Sequence, residues 1–366
     1  MHPERFRPLL TAKGPFASIY VDDSHNEPNS TTQLEVTCRD VRRELERHGA
    51  QPGLTSVVED ALLQTHPPVG ESGRMLIATA DALIIDEHLP RPESPTVRLS
   101  ELPYFLPIVR GGLDAPTYLV VAVDHIGADI ALHRGHTVSS ETVEASGYPV
   151  HKAERADRGH YGEAQQRVDE MILKKVRAVA DRVTEIFDDR KVEQVFVVGE
   201  PDSRARLLSA LPGRIAGHSA ELQGTRGDGS RSEQIRRAIN AEFERRRLAR
   251  ADAAVQRIRA AEGRKSGLGV AGLTAVCAAL RDGAVETLLI GDLADRTVFA
   301  DDRLNTIAPN PDVLSELGTA PTRTLRADEA LPLAAVSVDA SIVCDEQHVD
   351  LADGVGAVLR YVDSNT

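Results

Sequence analysis

Apolar positions along the chain recur with two spacings, and the changes between them divide it into alternating short elements. Phe16–Val21 is a strand-length apolar run closed by the turn-rich Asp22–Asn29. In Thr32–Arg47, Leu34, Val41 and Leu45 fall at helical spacing with mixed charge between them, and Leu54–Leu63 reads as a second helix. Arg74–Ala78 and Ala82–Asp86 predict a hairpin, and the proline-rich Leu89–Pro95 leads to an extended Thr96–Leu99. Glycines and a proline within Arg110–Pro116 mark a boundary.

Beyond it, Tyr118–Val123, Asp129–His133 and Thr137–Val143 read as a three-strand meander turning at Gly127 and Gly135. A polar loop, Tyr148–Gly162, precedes a long helix over Glu163–Phe187. Val195–Val198 predicts a buried strand, Ser203–Ala210 a helix and Arg214–Gly217 a short strand. An arginine-rich helix then covers Ser232–Ala261. After the small-residue turn Lys265–Gly269 the pattern predicts a helix through Leu280, a strand at Val285–Ile290 and a closing strand at Ala357–Val362. Alternating helices and strands indicate α/β layers. The expected fold is therefore three α/β domains, 1–115, 116–262 and 263–366.

Composition narrows the class. Of 366 residues, 41% are hydrophobic and 27% charged, the balance of a folded globular chain. No apolar run approaches the ~18 residues of a membrane span; the best stretch, Ala330–Val343, holds Pro332 and Asp339. The first ten residues are charged and proline-broken, without the apolar core of a secretory signal. Cys38, Cys277 and Cys344 are too scattered for a disulfide framework or a zinc site. A cytoplasmic protein without membrane contact is expected.

Charge is unevenly spread. The net charge of −13 divides into −6 over residues 1–115, −2 over 116–227, +5 over 228–265 and −10 over 266–366. An acidic terminal domain is a poor ligand for phosphates, so any RNA contact belongs to the middle of the chain.

Candidate chemistry is sparse. Gly267-Leu-Gly269-Val-Ala-Gly272, with Asp292 downstream, has the dinucleotide-binding spacing, but a strand must precede the first glycine. An arginine-rich helix precedes it, so a helix-to-helix turn is the better reading and no cofactor is expected. Asp22, Asp23 and His25, and likewise Asp124, His125 and Asp129, carry metal-ligand chemistry but sit in turns, and no metal is expected. Cys277 lies in an apolar helical pattern and reads as an inert buried thiol. His133, His136, His151 and His160 have no paired nucleophile and read as surface or RNA-facing groups. No catalytic residue is assigned. The basic features are the loop His151, Lys152, Arg155, Arg158, Gly159, His160, Tyr161 and Gly162, fitted to phosphates and unpaired bases, and the helix carrying Arg236, Arg237, Arg245, Arg246, Arg247 and Arg250. A solvated connector and a self-paired helix are the structural alternatives.

Gly269-Val-Ala-Gly272-Leu-Thr-Ala-Val276, followed by Leu280 to Ile290 and by the terminal Gly354-Val-Gly356-Ala-Val-Leu359-Arg360-Tyr361, resembles the C-terminal domain of archaeal and eukaryotic class-1 release factors and of Pelota. The middle piece has the matching element order. Within that family the chain is most similar to the bacterial branch, including an actinobacterial group and the Balon-like ribosome hibernation factors. The resemblance implies a 70S ribosome partner approached at the A site through ribosomal RNA, and elongation factor Tu approached through the C-terminal domain. The family's Gly-Gly-Gln is missing: its loop here reads Arg158-Gly159-His160-Tyr161-Gly162-Glu163. The stop-codon-reading Asn-Ile-Lys-Ser is missing as well. The expectation is a non-catalytic ribosome-binding hibernation factor. The alternative is a rescue or quality-control factor that hydrolyses peptidyl-tRNA through Gln165 or a loop histidine.

Overall fold

The computed structural model describes residues 3–24, 30–64, 72–111, 117–134, 137–144, 161–226, 233–264, 266–301, 306–344 and 351–361. It is a mixed α/β structure in two compact units, Met1–Asp114 with Arg246–Thr366, and Ala115–Arg245. The expected boundary near 115 lies beside the first division. The second falls at 245/246, within a helix and ahead of the expected 262.

The N-terminal segment of the first unit opens with α1 (Arg7–Thr11) and β1 (Phe16–Asp22). Helices α2 (Ser30–Arg47) and α3 (Pro52–Gln64) follow, then strands β2 (Gly73–Ala78), β3 (Leu83–Leu89) and β4 (Thr96–Ser100), and α4 (Leu106–Arg110). The strands form an antiparallel sheet in the order β3-β2-β1-β4. Helix α2 buries Cys38, Val41 and Leu45, and α3 buries Leu54, Val58 and Leu62, against Ile19 and Leu76 of the sheet. These are the i, i+3, i+7 and i, i+4, i+8 spacings of one-sided helices.

The second unit is built on β5 (Tyr118–Val123), β6 (Gly127–Arg134) and β7 (Thr137–Glu144), an antiparallel meander. Helix α5 (Tyr161–Asp189) crosses to β8 (Gln194–Gly199), which pairs parallel with β5; α6 (Pro201–Ala210) and α7 (Gly213–Ala216) lead to β9 (Ser219–Leu222). The order is β7-β6-β5-β8-β9. One face buries Leu119, Val121, Val195 and Val197 with Val179, Val183 and Leu207 of α5 and α6. The other buries Val120, Phe196 and Val198 with Ile235 and Ile239 of α8 (Glu233–Arg264). The strand expected at Arg214–Gly217 is instead the helical turn α7. Pro212 at its N-cap starts a turn that buries Ile215, and the strand begins two residues after Gly217.

Helix α8 continues into the first unit, where Ala254, Val255 and Ile258 pack on Leu289 and Val358. The C-terminal segment then contains β10 (Gly269–Ala271), α9 (Leu273–Arg281), β11 (Val285–Ile290), β12 (Thr297–Ala300), β13 (Ile307–Ala308), α10 (Pro311–Glu316), β14 (Arg323–Arg326), α11 (Ala327–Ser337), β15 (Ser341–Cys344) and β16 (Val355–Leu359). Two sheets result, β10-β16-β11-β15 and β13-β12-β14. Gly269, expected in a turn, and residues 270 and 271, expected to be helical, form a strand because they pair with 356–358 of β16. Phe6, Phe105 and Ile108 share one buried cluster with Val276, Leu331 and Ile342, so the N- and C-terminal segments enclose a common core. Among the described residues no helix is long and apolar enough to cross a membrane.

Candidate functional site

The loop predicted to meet RNA begins where β7 ends and finishes where α5 begins. His151, Lys152, Arg155, Arg158, Gly159 and His160 lie outside the described residues. Tyr161 and Gly162 open helix α5. The flanking elements are fastened together: Arg182 of α5 donates from Nε and Nη2 to the carboxylate of Glu141 on β7, at 2.5 and 2.7 Å, and from Nη1 to Glu185 at 2.6 Å. That two-point grip holds Glu141 below the usual carboxylate range, against the opposing effect of burial. Both elements thus enter the loop from a fixed frame.

The six arginines predicted on one helix lie on α8 in different environments. Burial of Ile235 and Ile239 turns Arg236 and Arg237 outward, and both are exposed. Arg245 is exposed and bonded to Glu242 of the preceding turn at 2.6 and 2.8 Å. Arg246 is half-buried and Arg250 exposed. Arg247 donates from Nη1 to the carbonyl of Cys344 at 2.8 Å, satisfying a backbone acceptor at the end of β15. Arg257, absent from the predicted set, holds Glu286 of β11 with two bonds of 2.8 Å. One helix therefore carries outward cations and cations that fasten its own scaffold.

An aromatic cluster packs where α8 meets the start of β5. Tyr118 stacks on His133 with ring centroids 4.5 Å apart and planes 7° apart. Phe196 and Phe243 meet Tyr118 edge-on at 5.6 and 5.5 Å. Burial pushes the Tyr118 phenol up to about 12 and the His133 imidazole down to about 4, so both are neutral at pH 7. His133, expected at the surface, is part of this cluster: as partner of Tyr118 in the β5–β6 register it points into the face covered by α8. Its terminal position on the meander, opposite an aromatic strand residue, was the available signal. His136, His151 and His160 lie outside the described residues.

The turn carboxylates are occupied by protein groups. Asp124 accepts from the backbone N–H of Ile126 and Gly127 at 2.7 and 2.8 Å. Arg226 holds Asp129 with bonds of 2.8 and 2.9 Å and reaches Asp124 at 3.3 Å. His125 is exposed. Asp22 accepts from the N–H and hydroxyl of Ser24 and pairs with Arg91 at 2.9 Å, whereas Asp23 is buried. Among the described residues no three His, Cys, Asp or Glu side chains are grouped to hold a metal ion.

The glycine triplet is explained by packing. A Cβ on Gly269 would lie 2.8 Å from the Cα of Ile258, so Gly269 permits the close approach of α8 to β10. Gly272 has φ +87°, and the Asp353 carboxylate accepts from the Leu273 N–H that opens α9. Asp292 accepts from the Ala294 N–H in a turn. Helix α8 precedes Gly267, and the short strand β10 converts the expected helix-to-helix turn into helix–strand–helix. Cys277 is buried, its thiol pushed up to about 12.

A family model matches the second unit and α8, and similarity to a relative extends along the whole chain. The family described as bacterial archaeo-eukaryotic release factor family 2 matches residues 117–264. The uncharacterized protein Rv2629 of Mycobacterium tuberculosis is 45% identical over 367 residues, covering 100% of this chain and 98% of that one. Two solved structures are more distantly similar. Archaeal Pelota, in a model of its ribosome-bound form with ABCE1, is 16% identical, with 98% and 94% of the two chains covered and a TM-score of 0.42. The archaeal translation termination factor aRF1 is 16% identical, with 96% and 93% covered and a TM-score of 0.25. Resting on the first two of these matches, the assignment is that this chain belongs to the bacterial archaeo-eukaryotic release factor family.

Proposed function

We propose that the chain is a translation factor that binds the 70S ribosome at the A site and catalyses no peptide release, keeping idle ribosomes inactive. The observation that carries this reading is the family membership of a chain whose sequence contains no Gly-Gly-Gln: its one pair of adjacent glycines, Gly111-Gly112, is followed by Leu113. Losing the residue that positions a hydrolytic water removes the reaction and leaves the binding shape. The loop from His151 to Gly162 and the outward Arg236, Arg237 and Arg250 supply cations for ribosomal RNA in this reading.

The acidic C-terminal segment faces a protein in the same account. A net charge of −10 over residues 266–366 repels RNA and accelerates encounter with a basic protein surface. Elongation factor Tu is the proposed recipient. Co-sedimentation of the full chain with vacant 70S ribosomes supports the reading; free migration at every salt concentration rejects it.

A further inference from the structure

The N- and C-terminal segments of the first unit come from opposite ends of the chain, yet their interface is not apolar alone. Phe6 and Phe105 stack at 4.3 Å, and both share a buried cluster with Leu331, Ala335 and Ile342. Apolar packing of this kind is strong but non-directional, and by itself leaves the register of two surfaces loosely specified. Above it sits a charged contact. Asp328 and Glu329, consecutive in the first turn of α11, are 7% and 2% exposed. Nη1 of Arg98, on β4, donates to Asp328 at 2.9 Å and reaches Glu329 at 3.4 Å. The Arg98 guanidinium also lies 3.5 Å above the Tyr104 ring, which fixes its plane. Arg326, at the N-cap of α11, also holds Asp328, with bonds of 3.0 and 3.1 Å, and makes one of 3.2 Å to Asp295, so Glu329 is the acid that depends on Arg98.

Two adjacent carboxylates out of water repel each other and are costly unless a cation is held against them. Burial, then the charge of Asp328, raises Glu329 above the ordinary carboxylate range, while Arg98 and Ser100 draw it down. Sliding β4 along α11 would leave Asp328 with Arg326 but strip Glu329, buried beside it, of the side-chain bonds from Arg98 and Ser100. The penalty is steep and tied to one register.

We infer that Arg98 gripping the Asp328–Glu329 pair locks the N- and C-terminal segments of the first unit into one mechanical body, so that neither sheet opens or moves without the other. The inference does not depend on the ribosome reading. In any complex, contacts made by the N-terminal segment would be transmitted directly to the C-terminal one. Two weaker ties have the same sense, Arg7 to Asp339 and Arg323 to Glu101, each at 3.1 Å and exposed.

Hydrogen exchange of the full chain across a urea series tests the lock. Amides of β4 and α11 are expected to open at one urea concentration. Arg98→Ala should accelerate exchange in both segments together, by about a hundredfold, as expected for stranding a buried charge. In a Glu329→Gln background, where no buried charge is stranded, the same Arg98 change should accelerate exchange far less. If Arg98→Ala does not fold, Arg98→Lys serves in its place, since a point charge cannot span both acids while stacked on Tyr104. Opening of β4 and α11 at separate urea concentrations in the unaltered chain overturns the inference. So does an Arg98 variant that accelerates exchange in β4 alone.

Discussion

Arg226 and Asp129 lie 97 residues apart in sequence and meet through two bonds, Nε to Oδ2 at 2.8 Å and Nη2 to Oδ1 at 2.9 Å. The same guanidinium reaches Asp124, so the segment leading toward α8 is pinned to the β5–β6 turn. Arginine suits this position because its planar fork matches a carboxylate at two points.

Replacing Arg226 with alanine should therefore loosen the turn and the approach to α8. The expected cost is about 1 kcal/mol, kept small because Asp129 is partly exposed and solvent screens the pair. Burial raises Asp124, but the Gly127 and Ile126 N–H groups and Arg226 outweigh it and leave its pKa low; Asp129 is lowered chiefly by Arg226. A carboxylate lowered in the folded state contributes stability above its unfolded pKa and loses it as pH falls through the folded value. The cost of Arg226→Ala should thus shrink under acid. Urea midpoints at pH 7 and pH 3 measure it, and equal costs at both pH values would contradict the assignment.

His133 destabilises the fold in the same direction, but in a higher pH window. Its folded pKa of about 4 lies below the ordinary 6.5 because burial disfavours the cation. Between those values the unfolded chain binds the extra proton, so stability falls as pH drops from about 6.5 toward 4. NMR should show the His133 ring neutral at pH 6. His133→Phe should flatten the pH dependence across this window, and an unchanged slope would place the titration elsewhere.

Phosphate binding has an ionic-strength signature. Converting Lys152, Arg155 and Arg158 together to alanine should weaken ribosome binding and reduce the log–log salt slope by about 0.7–0.9 for each phosphate no longer neutralised. The pair Arg236→Ala and Arg237→Ala should act in the same way. Arg247→Ala should instead lower thermal stability, because its guanidinium supports the Cys344 carbonyl. An unchanged salt slope in the loop variant would make that loop a solvated connector.

Gly269→Ala should cost about 1–3 kcal/mol, since the new methyl group meets the backbone of Ile258 at 2.8 Å. The loss should appear in the melting temperature. Nucleotide should give no compensating stabilisation, and a thermal shift on adding a dinucleotide would restore the binding reading of the triplet.

Local elements were legible where periodicity and pairing agree within a short stretch. Tyr118–Val123 is a strand over its predicted range, and the buried spacing of Cys38, Val41 and Leu45 follows the helix read at Thr32–Arg47. Three-residue β10 was illegible because its extended state depends on β16, far along the chain. Helix α4 was missed because five residues, four of them buried, offer no amphipathic period. The common core of the terminal segments could not be foreseen either, since nothing local in Phe6 or Phe105 specifies Leu331 as its neighbour. At the candidate site, cation clusters were visible as composition. Which cations are spent on the scaffold, as Arg247 is, depends on carbonyls supplied by distant strands.

The central claim is binding without release, and both halves can be read in one sample. Purified 70S ribosomes carrying labelled peptidyl-tRNA, with an empty A site, are mixed with the full chain at low salt, pelleted, and assayed for pelleted protein and freed peptide. The account predicts near-stoichiometric protein in the pellet, with the peptide still esterified to its tRNA. Peptide freed in proportion to bound protein, and abolished by changing Gln165 or His160, would contradict it and make the chain a hydrolytic rescue factor.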